Sequence, residues 1–158
     1  LGPDALDDHV VWRDLLTRLQ DPKFAGRSLA ALYLDQSFVA GIGNYLRSEI
    51  LFNAGLNPFD RPKDLSRRQL GVLARNTLVL TRQAYATSGV TNTAARVKRL
   101  QAMGLSRRRY RHLVFDRQNE DCYHCGGTVE RIEVSGRRIY VCYACQPSAR
   151  AAMTKAEP

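Results

Sequence analysis

The sequence predicts a mainly α-helical fold, in which a helical bundle is followed by a small β-hairpin ribbon. Three observations support this fold class. Apolar residues recur at helical spacing through much of residues 8–86, polar and apolar residues alternate only towards the end of the chain, and all four cysteines lie in that later part. No run of about 18 uncharged apolar residues occurs, so the sequence predicts no membrane span.

The first two helices are expected within residues 8–37. Leucines and a valine at helical spacing predict a helix over residues 8–20, with Asp7 or Asp8 as its N-cap. An Asp-Pro pair ends this helix, because the residue before a proline resists the helical conformation. A second helix is expected to begin after Ser28 and to extend towards Ser37.

The third helix is expected over residues 45–54. Asn44 is a suitable N-cap, and Gly55 stands where a left-handed residue commonly ends a helix. The glycines on the N-terminal side of Asn44 break the preceding helix.

A capping box precedes the longest predicted helix. Ser66 and Gln69 have the required spacing, and they predict a helix over residues 67–86. A shorter helix is expected over residues 94–103, and residues 112–115 are expected to be extended.

Alternating residues predict the hairpin. The two strands are expected over residues 128–134 and 138–141, joined by a Ser-Gly turn. The Ala-rich, polar residues 148–158 are expected to be a disordered tail.

The positive charge is concentrated in the second part of the chain. The net charge is +9, from 24 Lys and Arg residues against 15 Asp and Glu residues. Residues 1–65 carry 7 basic and 9 acidic groups (net −2), and residues 66–158 carry 17 and 6 (net +11). Such a charge suggests a polyanionic partner. The densest run, residues 96–111, is consistent with a solvated face or with a helix and loop that lie along phosphates.

The four cysteines have the spacing of a zinc ribbon. Cys122 and Cys125 form one Cys-x2-Cys pair, and Cys142 and Cys145 form a second pair after sixteen residues. Each pair can direct two thiolates at one Zn²⁺ ion, and the hairpin returns the second pair to the first, so the pattern predicts one closed, structural site. His124 is interpreted as a bystander. Two disulfides or a dithiol redox motif are the alternatives.

A glycine-rich junction suggests an anion site. Gly41 and Gly43 permit a turn that side chains would block, and Asn44 then opens a helix whose free N–H groups and dipole favour an anion. A simple glycine turn between packed helices is the alternative. The motif lacks the Gly-Lys-Ser/Thr of a P-loop, and no strand precedes it as in a dinucleotide-binding fingerprint.

The order of these features resembles the C-terminal half of the formamidopyrimidine-DNA glycosylase and endonuclease VIII family, more closely endonuclease VIII. The resemblance is carried by LGPDAL, LDQSFVAGIGNYLRSEIL, a long helix, VFDRQNEDCYHCGG and a final Cys-x2-Cys-Gln, and it covers residues 1–147. It implies a helix–two-turn–helix domain over residues 1–92, a basic connecting segment over residues 93–115 and a zinc finger over residues 116–147.

The family removes damaged bases from DNA and cleaves the abasic strand. The resemblance therefore implies the DNA-binding part of a bifunctional DNA glycosylase/AP lyase of base excision repair, acting on oxidised bases, with pyrimidines preferred. It also implies one Zn²⁺ ion, double-stranded DNA with damaged bases or abasic sites as the partner, a monomer, and a bacterial cytoplasmic location.

The resemblance assigns the phosphate contacts and leaves no catalytic residue in this chain. It assigns to Asn44, with Gly41 and Gly43, contact with a phosphate of the DNA backbone. It assigns further phosphate contacts to Arg137 and Arg111. The family nucleophile is an N-terminal proline amine followed by a glutamate, which the resemblance places in a catalytic domain missing from this chain.

The remaining expectations concern the isolated chain. The nitrogen of Pro3 is acylated and cannot replace the nucleophile, so the chain is expected to be inactive alone. Glu49 is interpreted as structural. Residues 93–109 are longer and more basic than the corresponding family segment, and their role is open. A non-enzymatic nucleic-acid adaptor with a zinc ribbon is the alternative function.

Overall fold

The computed structural model describes residues 1–149, and the rest of the predicted tail lies outside these described residues. Within them the chain forms seven α-helices, one 3-10 turn and one antiparallel hairpin, so the predicted fold class is confirmed. The elements are α1 (Trp12–Gln20), α2 (Pro22–Ala25), α3 (Leu29–Leu32), α4 (Asn44–Ala54), the 3-10 turn (Pro62–Asp64), α5 (Arg67–Ala86), α6 (Ala94–Ala102), α7 (Arg107–Tyr110), β1 (Glu130–Val134) and β2 (Arg137–Val141).

The predicted start of the first helix is wrong. Helix α1 begins at Trp12, and neither Asp7 nor Asp8 is its N-cap. The Asp14 carboxylate accepts a hydrogen bond from the Val11 N–H at 2.8 Å. An acidic residue within the first turn of the helix thus satisfies the N–H of the residue that precedes it.

The second predicted helix is shorter than expected. Helix α3 ends at Leu32, because the Asp35 carboxylate accepts hydrogen bonds from the Ser37 N–H (2.8 Å) and from Arg27 (2.7 Å). These contacts stabilise a turn in place of further helix. The proline at residue 22 ends α1 as predicted, but it also starts the short helix α2.

The long helix α5 follows its prediction. Ser66 Oγ accepts a hydrogen bond from the Gln69 N–H (3.1 Å), and Gln69 Oε1 accepts one from the Ser66 N–H (2.9 Å). Helices α4 and α5 pack against each other, and a Cβ on Gly89, just after α5, would lie 3.7 Å from the Tyr45 hydroxyl near the start of α4. Their apolar faces, with α1 and the residues around α3, form the main core.

The hairpin joins two apolar cores. Ile132 pairs with Ile139 across the strands, and Ile139 belongs to the main core beneath the helices. Tyr140 points to the other face and belongs to a second, smaller core. Strand β2 begins at Arg137, one residue before its predicted start.

The connecting segment contains a short helix that the sequence did not indicate. Helix α7 follows α6, and residues 113–115 form a bend and the start of a turn, where an extended segment was expected. At the other end, Ser148 and Ala149 of the predicted tail donate hydrogen bonds to the Asp60 carboxylate at 3.2 and 2.8 Å. No helix among residues 1–149 is long and apolar enough to cross a membrane.

Candidate metal centre and nucleic-acid interface

The four cysteine thiols converge at one point of the ribbon. All four Sγ atoms lie within 4.8 Å of one another, with 3.8 Å between Cys122 and Cys145 and 3.5 Å between Cys125 and Cys142. A tetrahedral Zn²⁺ site with bonds of about 2.3 Å has sulfur–sulfur edges of about 3.8 Å. The donor set therefore fits one tetrahedral metal ion. His124 is exposed and is not part of the cluster.

Two glycines shape the first cysteine knuckle. Gly126 has a φ of 78°, which favours glycine, and a Cβ on Gly127 would lie only 3.2 Å from Cys125 Sγ. The Gly127 N–H donates to this sulfur at 3.3 Å and lowers the pKa of the Cys125 thiol to about 7. Burial instead raises the pKa of the Cys142 thiol.

The glycine junction exposes the N-terminus of α4. Gly43 is the N-cap, so Asn44 is the first residue of the helix and not its cap, which corrects the prediction by one position. Gly41 has a φ of 89°, and a Cβ there would lie 2.8 Å from the Asp4 carboxylate. No side chain caps the helix and no acidic residue stands in its first turn, so among residues 1–149 this end of α4 remains available to an anion.

A groove beside this helix end brings the junction and the hairpin together. Gly43 and Asn44 line one side, and Arg137, from the start of β2, lines the other. Arg47 also lines the groove, although its side chain is only 1% exposed.

Arg47 is a site residue that the sequence analysis missed. Its Nη2 donates to the Arg138 carbonyl at 2.6 Å, while its buried Nε has no hydrogen-bond partner within residues 1–149. Burial, and then the positive charge of Arg137, lower the pKa of the Arg47 guanidinium. A buried cation beside a second cation is costly unless an anion compensates it. The only local signal was its position one helical turn after Asn44.

Arg111 occupies a different environment. Its carbonyl accepts hydrogen bonds from the N–H groups of Thr91 (2.8 Å) and Asn92 (3.2 Å), and its side chain does not line the groove. The structure therefore brings Gly43, Asn44 and Arg137 together but does not place Arg111 among them.

Glu49 lies at the centre of a buried network, as its structural interpretation predicted. Its carboxylate accepts hydrogen bonds from the N–H groups of residues 113–115 at 2.6, 2.9 and 3.1 Å, and from the Thr91 hydroxyl. Burial raises the pKa of Glu49, and these four donors oppose that shift because they stabilise the charged form.

His112 lies beside this network, with Nδ1 3.6 Å from Glu49 Oε1. Burial, followed by the charges of Arg111 and Arg107, lowers the pKa of His112 to about 4. The imidazole is therefore neutral at pH 7.

A helical body whose open helix end faces a cysteine-bearing hairpin is the arrangement that the resemblance implies, a helix–two-turn–helix domain followed by a zinc finger. Residues 1–95 match the family described as the formamidopyrimidine-DNA glycosylase H2TH domain. The chain belongs to this formamidopyrimidine-DNA glycosylase and endonuclease VIII family, which confirms the resemblance.

Individual relatives agree with this assignment. The chain is 40% identical over 146 residues to endonuclease 8 of Escherichia coli O6:K15:H31, covering 92% of this chain and 52% of that protein. It is 31% identical to MutM (Fpg) of Thermus thermophilus, with a TM-score of 0.74, covering 94% of this chain and 54% of that one. The chain thus spans about half the length of the curated relatives it matches.

A third relative shows similarity in fold alone. Fpg (MutM) of Lactococcus lactis, solved with Fapy-dG-containing DNA, is 21% identical with a TM-score of 0.73 and covers 94% of this chain and 51% of that one.

Proposed function

We propose that this chain is the DNA-binding part of a bifunctional DNA glycosylase/AP lyase of base excision repair. The carrying observation is the groove in which the open end of α4, Asn44 and Arg137 face one another. Its partner is double-stranded DNA with oxidised bases, pyrimidines foremost, or abasic sites, and it acts as a monomer in the bacterial cytoplasm. Residues 1–92, 93–115 and 116–147 supply the helix–two-turn–helix domain, the basic connection and the zinc finger.

Three groups in the groove are suited to a DNA phosphate. The free N–H groups and positive dipole end of α4 attract the anion, and the amide of Asn44 adds a donor. The positively charged guanidinium of Arg137, on the hairpin, can donate two hydrogen bonds to the phosphate. Arg47 supports Arg137, because its bond to the Arg138 carbonyl holds the start of β2 against α4.

One Zn²⁺ ion bound by the four cysteines would hold this hairpin in place. Four thiolates complete a tetrahedral site, so the ion would be structural and would leave no open position for a reacting water. Its role in DNA binding is to fix the base of the strand that carries Arg137.

The relatives support damaged DNA as the partner. Lactococcus lactis Fpg has been solved with DNA that contains an abasic site and with DNA that contains an oxidised pyrimidine.

We assign no catalytic residue to this chain, because Pro3 has an amide nitrogen and its carbonyl is held by the Ala40 N–H at 2.9 Å. Borohydride should therefore trap no covalent adduct between this chain and abasic DNA, and a trapped adduct would show that the chain has its own nucleophile.

Salt-dependent DNA binding tests the phosphate groove. Each phosphate that a Lys or Arg neutralises contributes about −0.9 to the log–log slope of the binding constant against salt concentration, so DNA binding should weaken clearly as salt rises. Arg137→Ala should reduce the slope by about 1. Arg131→Ala, which removes an exposed arginine from β1 outside the groove, is the matched control. A slope near zero, or equal effects of the two substitutions, would contradict the proposal.

A further inference from the structure

A second basic groove lies on the helical body, between α1 and the first turns of α5. Half-buried Trp12 and buried Leu16 contribute apolar surface. A Cβ on Gly71 would lie 3.9 Å from the Cζ3 atom of the indole, so the glycine leaves the space beside the ring open. Four exposed arginines line the same groove: Arg13, Arg67, Arg68 and Arg75.

The four arginines have no acidic partners. Among residues 1–149, none of them forms an ion pair, and no Asp or Glu lines the groove. Two of their guanidinium groups lie over the indole ring, with the Cζ of Arg75 at 4.0 Å and that of Arg13 at 4.6 Å from the ring centroid. Several positive charges that line one groove repel one another, and an anion in the groove would relieve that repulsion.

This groove is separate from the proposed phosphate groove. It lies at the N-terminal end of α5, whereas the start of α4 lies beside Gly89 at the C-terminal end. From Arg68 to Ala86, where α5 ends, the helix axis rises about 27 Å, at about 1.5 Å per residue. No lining residue is shared between the two grooves.

We propose that this groove binds an acidic segment of a partner protein. Its carboxylates would pair with the arginine forks, which match carboxylates in a bidentate geometry. An apolar side chain of the segment would lie against Leu16 and the edge of Trp12, beside Gly71.

The apolar floor favours a peptide over nucleic acid. Duplex DNA presents phosphates on its outer surface and no apolar side chain to fill such a floor. An unpaired base would need the face of the indole for stacking, and guanidinium groups already lie over that ring. The combination of a cationic rim and an apolar floor therefore suits an acidic peptide with an apolar anchor.

Trp12 provides a direct reporter, because it is the single tryptophan of the chain. The zinc-loaded protein is titrated with a Trp-free octapeptide in which Asp alternates with Leu and Phe, and its tryptophan fluorescence is recorded. We expect a saturable change. Arg75→Glu and, separately, Arg68→Glu should weaken binding about tenfold, as expected for the loss of one charge-assisted contact. Arg131→Glu makes the same charge change outside the groove and should alter binding less than about twofold.

Three results would overturn the proposal. One is the absence of a saturable fluorescence change. Another is an equal loss of binding in Arg131→Glu, which would indicate attraction by net charge alone. The third is that duplex DNA displaces the peptide from the groove and also binds the Arg137→Ala variant as tightly as the unchanged protein. This result would show that the groove is a DNA-binding surface. The Arg68→Glu variant keeps the test valid if Arg75→Glu fails to fold.

Discussion

The helical body and the ribbon are stabilised in different ways. The body buries a large continuous core drawn from α1, α3, α4 and α5. The ribbon core is small and includes two of the metal-site cysteines: Phe52, Leu113, Val114, Cys122, Val129, Tyr140 and Cys142. Small apolar cores need additional support. We therefore expect the body to fold on hydrophobic burial, and the ribbon to depend on the proposed metal ion and on the body itself.

Three consecutive residues of α4 connect the two regions. Arg47 donates to the Arg138 carbonyl, Ser48 Oγ accepts from the Tyr140 N–H at 2.9 Å, and Glu49 accepts from the backbone of residues 113–115. All three side chains are buried. The helix whose open end lines the proposed phosphate groove thus also supports the ribbon, so the two halves of this groove are positioned by one element.

Metal removal should separate the two regions most strongly. Chelation, or Cys142→Ser, should unfold the ribbon while most of the helical signal remains, since structural zinc supplies about 10–16 kcal/mol in zinc-finger peptides. Circular dichroism and hydrogen exchange at residues 116–147 measure the effect. His124→Ala is the control and should leave metal binding intact. If the helical body unfolded together with the ribbon when the metal was removed, the two regions would not differ in their dependence on metal.

Glu49→Gln should weaken the connection between the regions. An amide cannot satisfy all four donors that now surround the carboxylate, so we expect a loss of about 2–4 kcal/mol in the free energy of unfolding. Urea unfolding measures it. Glu133→Gln, on the exposed face of β1, is the matched control with an expected change near zero. Equal effects of the two substitutions would contradict a connecting role for Glu49.

His112 should make the same connection sensitive to acid. Its pKa in the folded chain is about 4, below its ordinary value, so the folded state binds the proton less well than the unfolded state. The contribution of neutral His112 to the free energy of unfolding is therefore complete above about pH 6.5. It is lost as the pH falls towards 4, by up to about 3 kcal/mol. Unfolding at pH 7 and pH 4.5 should show a steeper loss than in His112→Asn. Glu49 is present in both proteins, so parallel pH profiles would rule out His112 as the cause.

Local chemistry explains which features the sequence predicted. The capping box at Ser66, the left-handed Gly55 and the cysteine spacing each depend on residues close together in the chain, and the first two appear with their expected geometry. The roles of Arg47 and of the Glu49 partners depend on residues 42 to 91 positions away, which local patterns cannot indicate. The start of α1 was missed because Asp14 caps it from the third helical position.

Ser66→Ala should have the smallest effect and should act on the body alone. Loss of the hydrogen bond from the Gln69 N–H to Ser66 Oγ should cost about 1 kcal/mol, measured by urea unfolding. The cap lies at the end of α5 far from the residues that contact the ribbon, so metal affinity should not change. Ser135→Ala, in the hairpin turn, makes the same chemical change in the ribbon and is the variant for comparison. If Ser66→Ala lowered metal affinity, the stability of the ribbon would depend on the whole body and not mainly on its direct contacts with α4.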